Sequence, residues 1–337
     1  MIIGKTKCEG LDESPFNRIP AETMTHTTKA QLDKTDIMLI RELESNARQT
    51  VVDLSKKMSI SRPTLKAKLY RLLDKRIIKI LPIVDPLAMG YKTRVNLGLN
   101  TQPGQVDAVA NTLASYKQIN HVTIHTGRYD AMAWAVLDNP EDLPDFVMHD
   151  LAGIPGIIRV ETMVNLKIVK ISYAYLSDSV PELRSHPPRK PLDDLDLKLI
   201  EALKGDALQT QTELAPRLGT SPSTIKRKLQ RLLDKNIIRI VALTDPAVLG
   251  YNTRATIGIN AQPHKVDAVA RELASFRNVH HVVINTGNFD LIVSVDFKGS
   301  EELSRFVRED LGNVQGLVSH ETMVCLKTIR DEFTFTT

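Results

Sequence analysis

Apolar side chains recur every three or four residues near the start of the folded part of the chain, which is the period of an amphipathic helix. Ile37, Ile40 and Leu43 predict a helix over 36–44, and two shorter stretches predict helices over 51–58 and 62–75. A tight turn, Ser59-Ile60-Ser61, separates the second helix from the third. Three short helices with such a turn before the third are typical of a helix-turn-helix domain.

The pattern then changes to alternation, which indicates strands. Residues 77–85 predict a strand pair or a wing, ending at the turn signal Asp85-Pro86. Further elements follow in the order strand, helix, strand, strand, helix, strand, over residues 94–100, 106–115, 121–126, 131–137, 143–151 and 162–169. This βαββαβ order is that of a ferredoxin-like domain, an antiparallel sheet with two helices on one face.

The whole pattern occurs twice. A shift of 160 positions aligns residues 32–170 with 192–330 without a gap, and about 60 of the 139 aligned residues are identical. A period this long indicates a duplicated unit rather than a solenoid. We therefore expect an α+β fold, a tandem duplication of a winged helix-turn-helix and a ferredoxin-like sensing domain. The domain boundaries follow as a disordered extension (1–30), helix-turn-helix 1 (31–86), sensing domain 1 (87–176), a proline-rich linker (177–191), helix-turn-helix 2 (192–246) and sensing domain 2 (247–337).

Positive charge gathers on the third helix of each unit. Residues 61–76 carry a net charge of +5 and residues 221–236 a net charge of +4, whereas the whole chain carries +4. The remaining residues are therefore net acidic. A basic recognition helix that lies in the major groove neutralises phosphates and presents its N-terminal side chains to the bases. We predict double-stranded DNA as a partner.

The candidate DNA-binding residues are Ser61, Arg62, Thr64, Lys66, Lys68, Arg71, Ser221, Ser223, Thr224, Lys226, Arg227, Lys228 and Arg231. The hydroxyl residues at the helix start either contact DNA or cap the helix. The lysines are assigned to phosphates, and Arg227 to a guanine. Arg71 and Arg231 lie two turns further on and reach either the DNA backbone or an acidic neighbour.

Several function classes find no support in the sequence. It has no nucleophile elbow, no phosphate-binding glycine loop and no cysteine framework, so we expect no catalytic residues, no metal and no cofactor. His121 and His281 recur in both units and are interpreted as structural. The chain has neither an apolar stretch long enough for a membrane span nor a signal peptide, which predicts a cytoplasmic protein that does not bind membranes.

Beyond these patterns, the sequence resembles the Lrp/AsnC (leucine-responsive and asparagine-responsive) family of regulators. The resemblance rests on the LDKTDIMLIRELESNARQT stretch, the SISRPTLKAKLYRLLDKRIIK helix, VDPLAMGY and TGRYDAMAWAV, each with a counterpart in the second unit. It implies a small effector, an amino acid or a similar molecule, bound at the hairpin turns. The candidate residues are Gly127, Arg128, Tyr129, Asp130, Gly287, Asn288, Phe289 and Asp290. The alternative is a plain turn in which Gly and Asp only satisfy backbone geometry.

The fusion departs from the family pattern, in which single units pair between chains. Here we expect the pair to form within one chain, as a pseudo-dimer with two non-identical halves that associates further. The two helix starts differ, Arg62-Pro-Thr-Leu-Lys against Pro222-Ser-Thr-Ile-Lys. An operator without palindromic symmetry is the corresponding hypothesis.

Two other functions fit the same architecture. The sirohaem decarboxylases resemble it and also occur as fusions, but as a family they carry a longer motif rich in histidine and arginine at the central hairpin. This chain has the short Gly-x-(Tyr/Phe)-Asp turn instead. The second alternative is a ligand-binding or interaction protein whose helix-turn-helix has lost its DNA-binding role.

Overall fold

The computed structural model describes residues 32–177 and 192–331. The predicted disordered extension and most of the predicted proline-rich linker lie outside these residues. Within the described residues, the two units repeat the same order of elements, and both contain helix and antiparallel sheet. The α+β duplication is therefore confirmed.

The first unit begins with three helices, α1 (Lys34–Ser45), α2 (Val51–Met58) and α3 (Arg62–Asp74). The Asp33 carboxylate caps α1 by accepting from the Asp36 amide, and the Asp36 side chain accepts from Asp33 in return. This reciprocal capping box fixes where the helix starts. Leu39, Leu54 and other apolar residues of the three helices form one buried cluster, as their spacing predicts.

The first sensing domain follows after a 3-10 turn, Pro86–Met89. Its elements are β2 (Thr93–Thr101), α4 (Val106–Ser115), β3 (Ile119–His125), β4 (Ala131–Leu137), α5 (Leu143–Asp145) and β5 (Ile157–Ile171), with β1 (Ile78–Val84) preceding the turn. A π-helical turn, Phe146–Leu151, continues α5, so the helix expected over 143–151 is present but differently wound. The strand order β3-β4-β2-β5 is that of a ferredoxin-like sheet.

The second unit repeats these elements. Its helices are α6 (Asp194–Gly205), α7 (Gln211–Arg217), α8 (Pro222–Asp234), α9 (Val266–Ser275) and α10 (Ser300–Arg305). Its strands are β6 (Ile238–Thr244), β7 (Thr253–Ala261), β8 (Val279–Asn285), β9 (Leu291–Phe297) and β10 (Leu317–Asp331). Each helix-turn-helix and each sensing sheet has its own buried apolar cluster.

The strand after each helix-turn-helix pairs across the two units. The segment predicted as a strand pair or a wing is a single strand, β1, and its antiparallel partner is β6 of the other unit, from Ile78 opposite Thr244 to Val84 opposite Ile238. The two helix-turn-helix domains are thereby joined through one two-stranded sheet. Sequence alternation predicts a strand but does not identify its partner.

The two sensing sheets also join, and the eight strands form one closed antiparallel sheet. β5 pairs with β2 of its own unit as far as Val164 and then with β8 of the other unit from Asn165 onward. β10 does the same with β7 and β3. Two successive partners explain why β5 has 15 residues, more than the predicted 162–169. The helices cover the outer face of this sheet, and the two halves face each other inside it.

No helix among residues 32–177 and 192–331 is long and apolar enough to cross a membrane.

Candidate DNA-binding and effector-binding sites

The third helix of each helix-turn-helix starts with a serine cap. Ser59 adopts a left-handed backbone (φ 55°) at the end of α2, which makes the tight turn before α3. Ser61 Oγ then accepts from the Thr64 amide at 3.3 Å, and Ser221 Oγ accepts from the Thr224 amide at 3.2 Å. Both serines therefore act as helix caps, the alternative to direct DNA contact. Thr64 adds an exposed hydroxyl at the start of α3, and Ser223 adds one at the start of α8.

Four of the predicted cations project into solvent from the first two turns of α3 and α8. They are Arg62, Lys66, Lys226 and Arg227. Lys66 Nζ lies 5.6 Å from the centroid of the exposed Tyr70 ring, a cation–π contact. Within the described residues, none of these four cations forms an ion pair. Their charge is therefore available to a polyanion.

The lysine and arginine that follow along each helix are already paired with carboxylates and are therefore not available to a polyanion. Lys68 Nζ pairs with Asp33 and, at 3.1 Å, with Asp36, and Arg71 also pairs with Asp36. In the second unit Lys228 Nζ lies 2.6 Å from Asp193 and 3.0 Å from Asp196. These pairs contradict the assignment of Lys68 and Lys228 to phosphates, since the two carboxylates of each cluster already balance the charges of its lysine and its arginine.

The same clusters decide between the two roles left open for Arg71 and Arg231. Each guanidinium binds an acidic neighbour, Asp36 or Asp196, and both carboxylates are fully buried. The hydrogen bond from Lys68 lowers the pKa of Asp33 to about 2. The clusters therefore hold the recognition helix against the start of the first helix. The repeated Leu-Asp-x-x-Asp at both helix starts was the sequence signal for them.

The predicted effector residues form two tight hairpin turns whose aromatic rings point inward. Tyr129 packs beneath Gly98, where a Cβ would lie 2.6 Å from the ring, and Phe289 packs beneath Gly258 in the same way. Both rings are almost fully buried, in a cluster that also contains methionines from both units. Only glycine leaves room for these rings, a constraint that the sequence reasoning missed.

The glycine and aspartate of each turn serve backbone geometry. Gly127 and Gly287 have positive φ, 96° and 104°, which side-chain-bearing residues rarely adopt. The Asp130 carboxylate accepts from the Thr101 amide at 2.7 Å, and the Asp290 carboxylate accepts from the Ala261 amide at 2.9 Å. These contacts correspond to the plain-turn alternative for the two aspartates.

The second residue of each turn differs between the units. Arg128 Nη1 lies 3.2 Å from Glu321 Oε1 of the other unit, and its guanidinium carbon lies 5.5 Å from the centroid of Phe289. Asn288, its counterpart, is exposed. Gly127 and Gly287 are exposed beside them. The two hairpins therefore meet, and their shared rim is chemically asymmetric.

The two recurring histidines lie inside the closed sheet. His121 and His281 contact the ring of Trp134, with centroid distances of 4.4 and 4.5 Å. Desolvation by burial lowers the pKa of His281 to about 3. The predicted structural role is consistent with this packing.

Family models match both halves of the chain. The Lrp/AsnC ligand-binding domain matches residues 94–175 and 254–335, and a winged helix-turn-helix DNA-binding domain matches residues 32–79 and 192–239. Each sensing sheet and each three-helix domain described above is thus matched separately.

Curated relatives have the length of one unit. The HTH-type transcriptional regulator FL11 of Pyrococcus horikoshii is 33% identical over 144 residues, which are 42% of this chain and 95% of that protein. FL11 of Pyrococcus furiosus is 33% identical over 141 residues, 42% of this chain and 93% of that protein.

Among solved structures, the sirohaem decarboxylase NirDL matches the tandem arrangement. Its TM-score is 0.64 at 16% sequence identity, covering 88% of this chain and 93% of that chain. At this identity the likeness concerns the fold alone. The two repeated domain matches and the curated relatives together show that this chain belongs to the Lrp/AsnC family of DNA-binding transcriptional regulators, with both family domains present twice.

Proposed function

We propose that the chain is a sequence-specific transcriptional regulator that reads DNA with α3 and α8. The observation that carries this proposal is the set of four exposed cations without carboxylate partners among the described residues, Arg62, Lys66, Lys226 and Arg227. They occupy the first two turns of both third helices, the part of a recognition helix that enters the major groove. Thr64 and Ser223 lie on the same helix starts. Arg227 is assigned to a guanine, because arginine binds the major-groove edge of guanine with two hydrogen bonds.

The two reading helices belong to one intramolecular pseudo-dimer in this proposal. The pairing of β1 with β6 and the shared closed sheet support it, because both connections run between the two units. Since Arg62 has no cationic counterpart in the second helix, where Pro222 stands, the two half-sites differ. Binding-site selection is expected to return operators with unequal halves, and a set of perfect palindromes would contradict this.

A small effector, an amino acid or a similar molecule, is assigned to the rim where the hairpins meet. The exposed Asn288, Gly127 and Gly287 supply polar and backbone groups. Arg128 is paired with Glu321 across the units, so an effector carboxylate would take the place of Glu321 on its half-exposed guanidinium. The buried rings of Tyr129 and Phe289, with the carboxylates of Asp130 and Asp290, shape the turns beneath. Arg128→Ala is expected to weaken the response of DNA binding to the effector, with Arg308→Ala, an exposed cation elsewhere, as control.

Further association of pseudo-dimers is supported by paired apolar side chains on the long strands β5 and β10. Ile158, Leu166, Val318 and Leu326 are each 64% exposed. Large exposed apolar residues in repeated positions are typical of interaction surfaces. Replacing all four with threonine is expected to reduce the mass measured by light scattering to that of a single chain.

We infer that the chain is not an enzyme. The short turns Gly127–Asp130 and Gly287–Asp290 are filled by their own aromatic rings, which supports this inference. The sirohaem decarboxylase NirDL, which is similar in fold, also has a solved structure in complex with an iron-uroporphyrin III analogue. Adding such a tetrapyrrole therefore tests the alternative, and a saturable spectral shift followed by loss of carboxyl groups would establish the enzyme.

The direct test of the regulator is selection of genomic fragments by the full chain, with and without each amino acid. We expect a small set of fragments, bound with an affinity that falls steeply as salt rises. Binding to no fragment, or binding that is insensitive to salt, would favour the interaction-protein alternative. The cytoplasmic location stays a prediction.

A further inference from the structure

Matching contacts hold the third helices α3 and α8 in the same orientation within their own domains. Each has 13 residues and starts after a capping serine, Ser61 or Ser221. An arginine of each helix binds a buried aspartate of the first helix of its unit, Asp36 or Asp196. A residue of α3 and its counterpart 160 positions later in α8 therefore point in the same direction relative to their domains.

Two residues of α3 point directly away from the core of its domain. An α-helix turns by about 100° per residue, so Ala67 and Tyr70 each lie about 140° to 160° around the helix from the buried Leu65 and Leu72. Both residues are exposed. The side of a recognition helix that faces away from its domain is the side that enters the major groove. Ala67 and Tyr70 are therefore placed to meet base edges.

This outward side of α3 is apolar. Ala67 and Tyr70 are three residues apart and thus neighbours on the helix surface, and 59% of Tyr70 is exposed. Lys66 Nζ lies 5.6 Å from the centroid of the Tyr70 ring, and this cation–π contact orders the ring at the helix surface. The exposed Arg62 supplies further charge for phosphates on the same helix. An apolar contact surface bordered by cations therefore lies where α3 meets the groove.

The outward side of α8 is polar at the same two positions. Arg227 stands where α3 has Ala67, is exposed, and has no carboxylate partner among the described residues. Gln230 stands where α3 has Tyr70, and its amide donates to Asp234 Oδ1 at 2.7 Å. This bond engages the amide with the next turn of the helix. The guanidinium of Arg227 is therefore the group that α8 offers to a base.

The residues on either side of this position are the same in both helices. Lys66 and Lys226 precede it, and Lys68 and Lys228 follow it. Lys68 and Lys228 also bind equivalent aspartates in the two units. The exchange of alanine for arginine is therefore a change of one base-facing side chain in constant surroundings.

Base edges in the major groove distinguish the two surfaces. Thymine carries a 5-methyl group, which takes apolar contacts from alanine or an aromatic ring. Guanine presents two acceptors, which an arginine binds with two hydrogen bonds. An apolar surface pressed against guanine would leave both acceptors without donors, which is costly. The surface of α3 thus fits thymine, and the surface of α8 fits guanine.

We infer that α3 selects a thymine, whose methyl group packs on Ala67 and Tyr70, at the half-site position where Arg227 of α8 selects a guanine. Selection of this kind rests on the proposed regulator function and deepens it, because it names the base that each helix reads. The exposed cations account for affinity to any duplex. Ala67 and Tyr70 account for a defined difference between the two half-sites.

The variants that test this selection copy residues that the fold already holds at the equivalent position. Ala67→Arg with Tyr70→Gln gives α3 the outward side of α8, and Arg227→Ala gives α8 the small residue of α3. All three positions are exposed. Thermal midpoints are therefore expected to stay close to that of the wild type.

Binding-site selection with the full chain measures the base preferences. The wild type is expected to return guanine in one half-site and thymine at the matching position of the other. Arg227→Ala identifies the position, because its preference for guanine is expected to fall by roughly 5- to 150-fold there. The variant with Ala67→Arg and Tyr70→Gln is expected to return guanine in both half-sites.

Lys226→Ala is the matched control, since this exposed cation is the neighbour of Arg227. Phosphate contacts position a protein on DNA but carry no sequence information. The control is therefore expected to weaken binding to all sequences alike and to leave the selected bases unchanged.

Replacing the selected thymine with deoxyuridine tests the methyl contact itself, because it removes one methyl group and keeps the hydrogen-bonding groups of the base. The wild type is expected to bind this operator about fourfold more weakly, the value of one buried methyl group. Tyr70→Gln is expected to reduce the difference, whereas Tyr70→Phe should keep it, because the ring rather than the hydroxyl contacts the methyl group. Deoxyuridine outside the two half-sites is expected to have no effect.

Equal affinity of the wild type for the thymine and deoxyuridine operators would overturn the inference. Unchanged base preferences in the variant with Ala67→Arg and Tyr70→Gln would do the same. If Tyr70→Phe weakens binding to both operators equally, the hydroxyl binds a phosphate and the role given to the ring is wrong. A chain that binds selected fragments without these base preferences would leave the regulator intact, whereas a chain that binds no fragment would overturn both.

Discussion

Removing the four exposed cations of the recognition helices should abolish tight DNA binding without affecting the fold. The variant carries alanine at Arg62, Lys66, Lys226 and Arg227, none of which is paired with a carboxylate among the described residues. Each cation that neutralises one phosphate contributes about 0.9 to the slope of log affinity against log salt concentration. The quadruple variant is therefore expected to lower that slope by about 3.6.

The same relation gives the loss of affinity. If the affinities of variant and wild type are taken as equal at about 1 M salt, each lost phosphate contact lowers the affinity about fivefold at about 0.15 M salt. Four lost contacts then lower the affinity about a thousandfold. The assay is fluorescence anisotropy of a labelled selected fragment over a series of salt concentrations. The thermal midpoint is expected to stay unchanged, because surface residues without partners contribute little to stability.

A matched control removes four exposed cations from the sensing domains, Arg271, Lys298, Arg305 and Arg308. It changes the net charge of the chain by the same amount but leaves α3 and α8 intact, so we expect the wild-type salt slope. An equal loss of slope in both variants would refute the reasoning, since binding would then follow overall charge rather than the recognition helices.

Three further predictions concern the residues that hold the sites in place. Asp196→Asn removes a fully buried carboxylate between two cations and is expected to cost about 3 kcal/mol in urea unfolding, whereas the exposed Asp194→Asn should cost little. The folded-state pKa of Asp33 is about 2, below its ordinary 3.8, so its contribution is present above about pH 4 and is lost as the pH falls toward 2. Asp33→Asn should therefore flatten the acid limb of a plot of thermal midpoint against pH. Gly258→Ala places a Cβ 2.6 Å from the ring of Phe289 and is expected to cost about 1–3 kcal/mol, whereas Gly312→Ala, with open space around it, should not.

Local patterns were sufficient for much of the fold. Helical spacing located α1 to α3 and their counterparts, because an amphipathic helix shows its buried face within a few residues of sequence. The shift of 160 positions established the duplication, and the order of strands and helices established the ferredoxin-like sheet. The basic character of the third helices was also visible in the sequence, since the net charge of a segment follows directly from its residues.

The sequence by itself therefore determined the helices and strands, the repeat and the cations at the start of each third helix. The tertiary structure decided which carboxylates pair with which cations and which strands pair with each other. The sequence predicted Lys68 and Lys228 as phosphate ligands, but in the folded chain they bind carboxylates about 35 residues away. The partner of β1 and the second partner of β5 lie in the other unit, and the ring of Tyr175 is buried against residues of the unit that follows it. Contacts between residues far apart in the chain depend on how whole elements pack, and periodicity within one element carries no information about that packing.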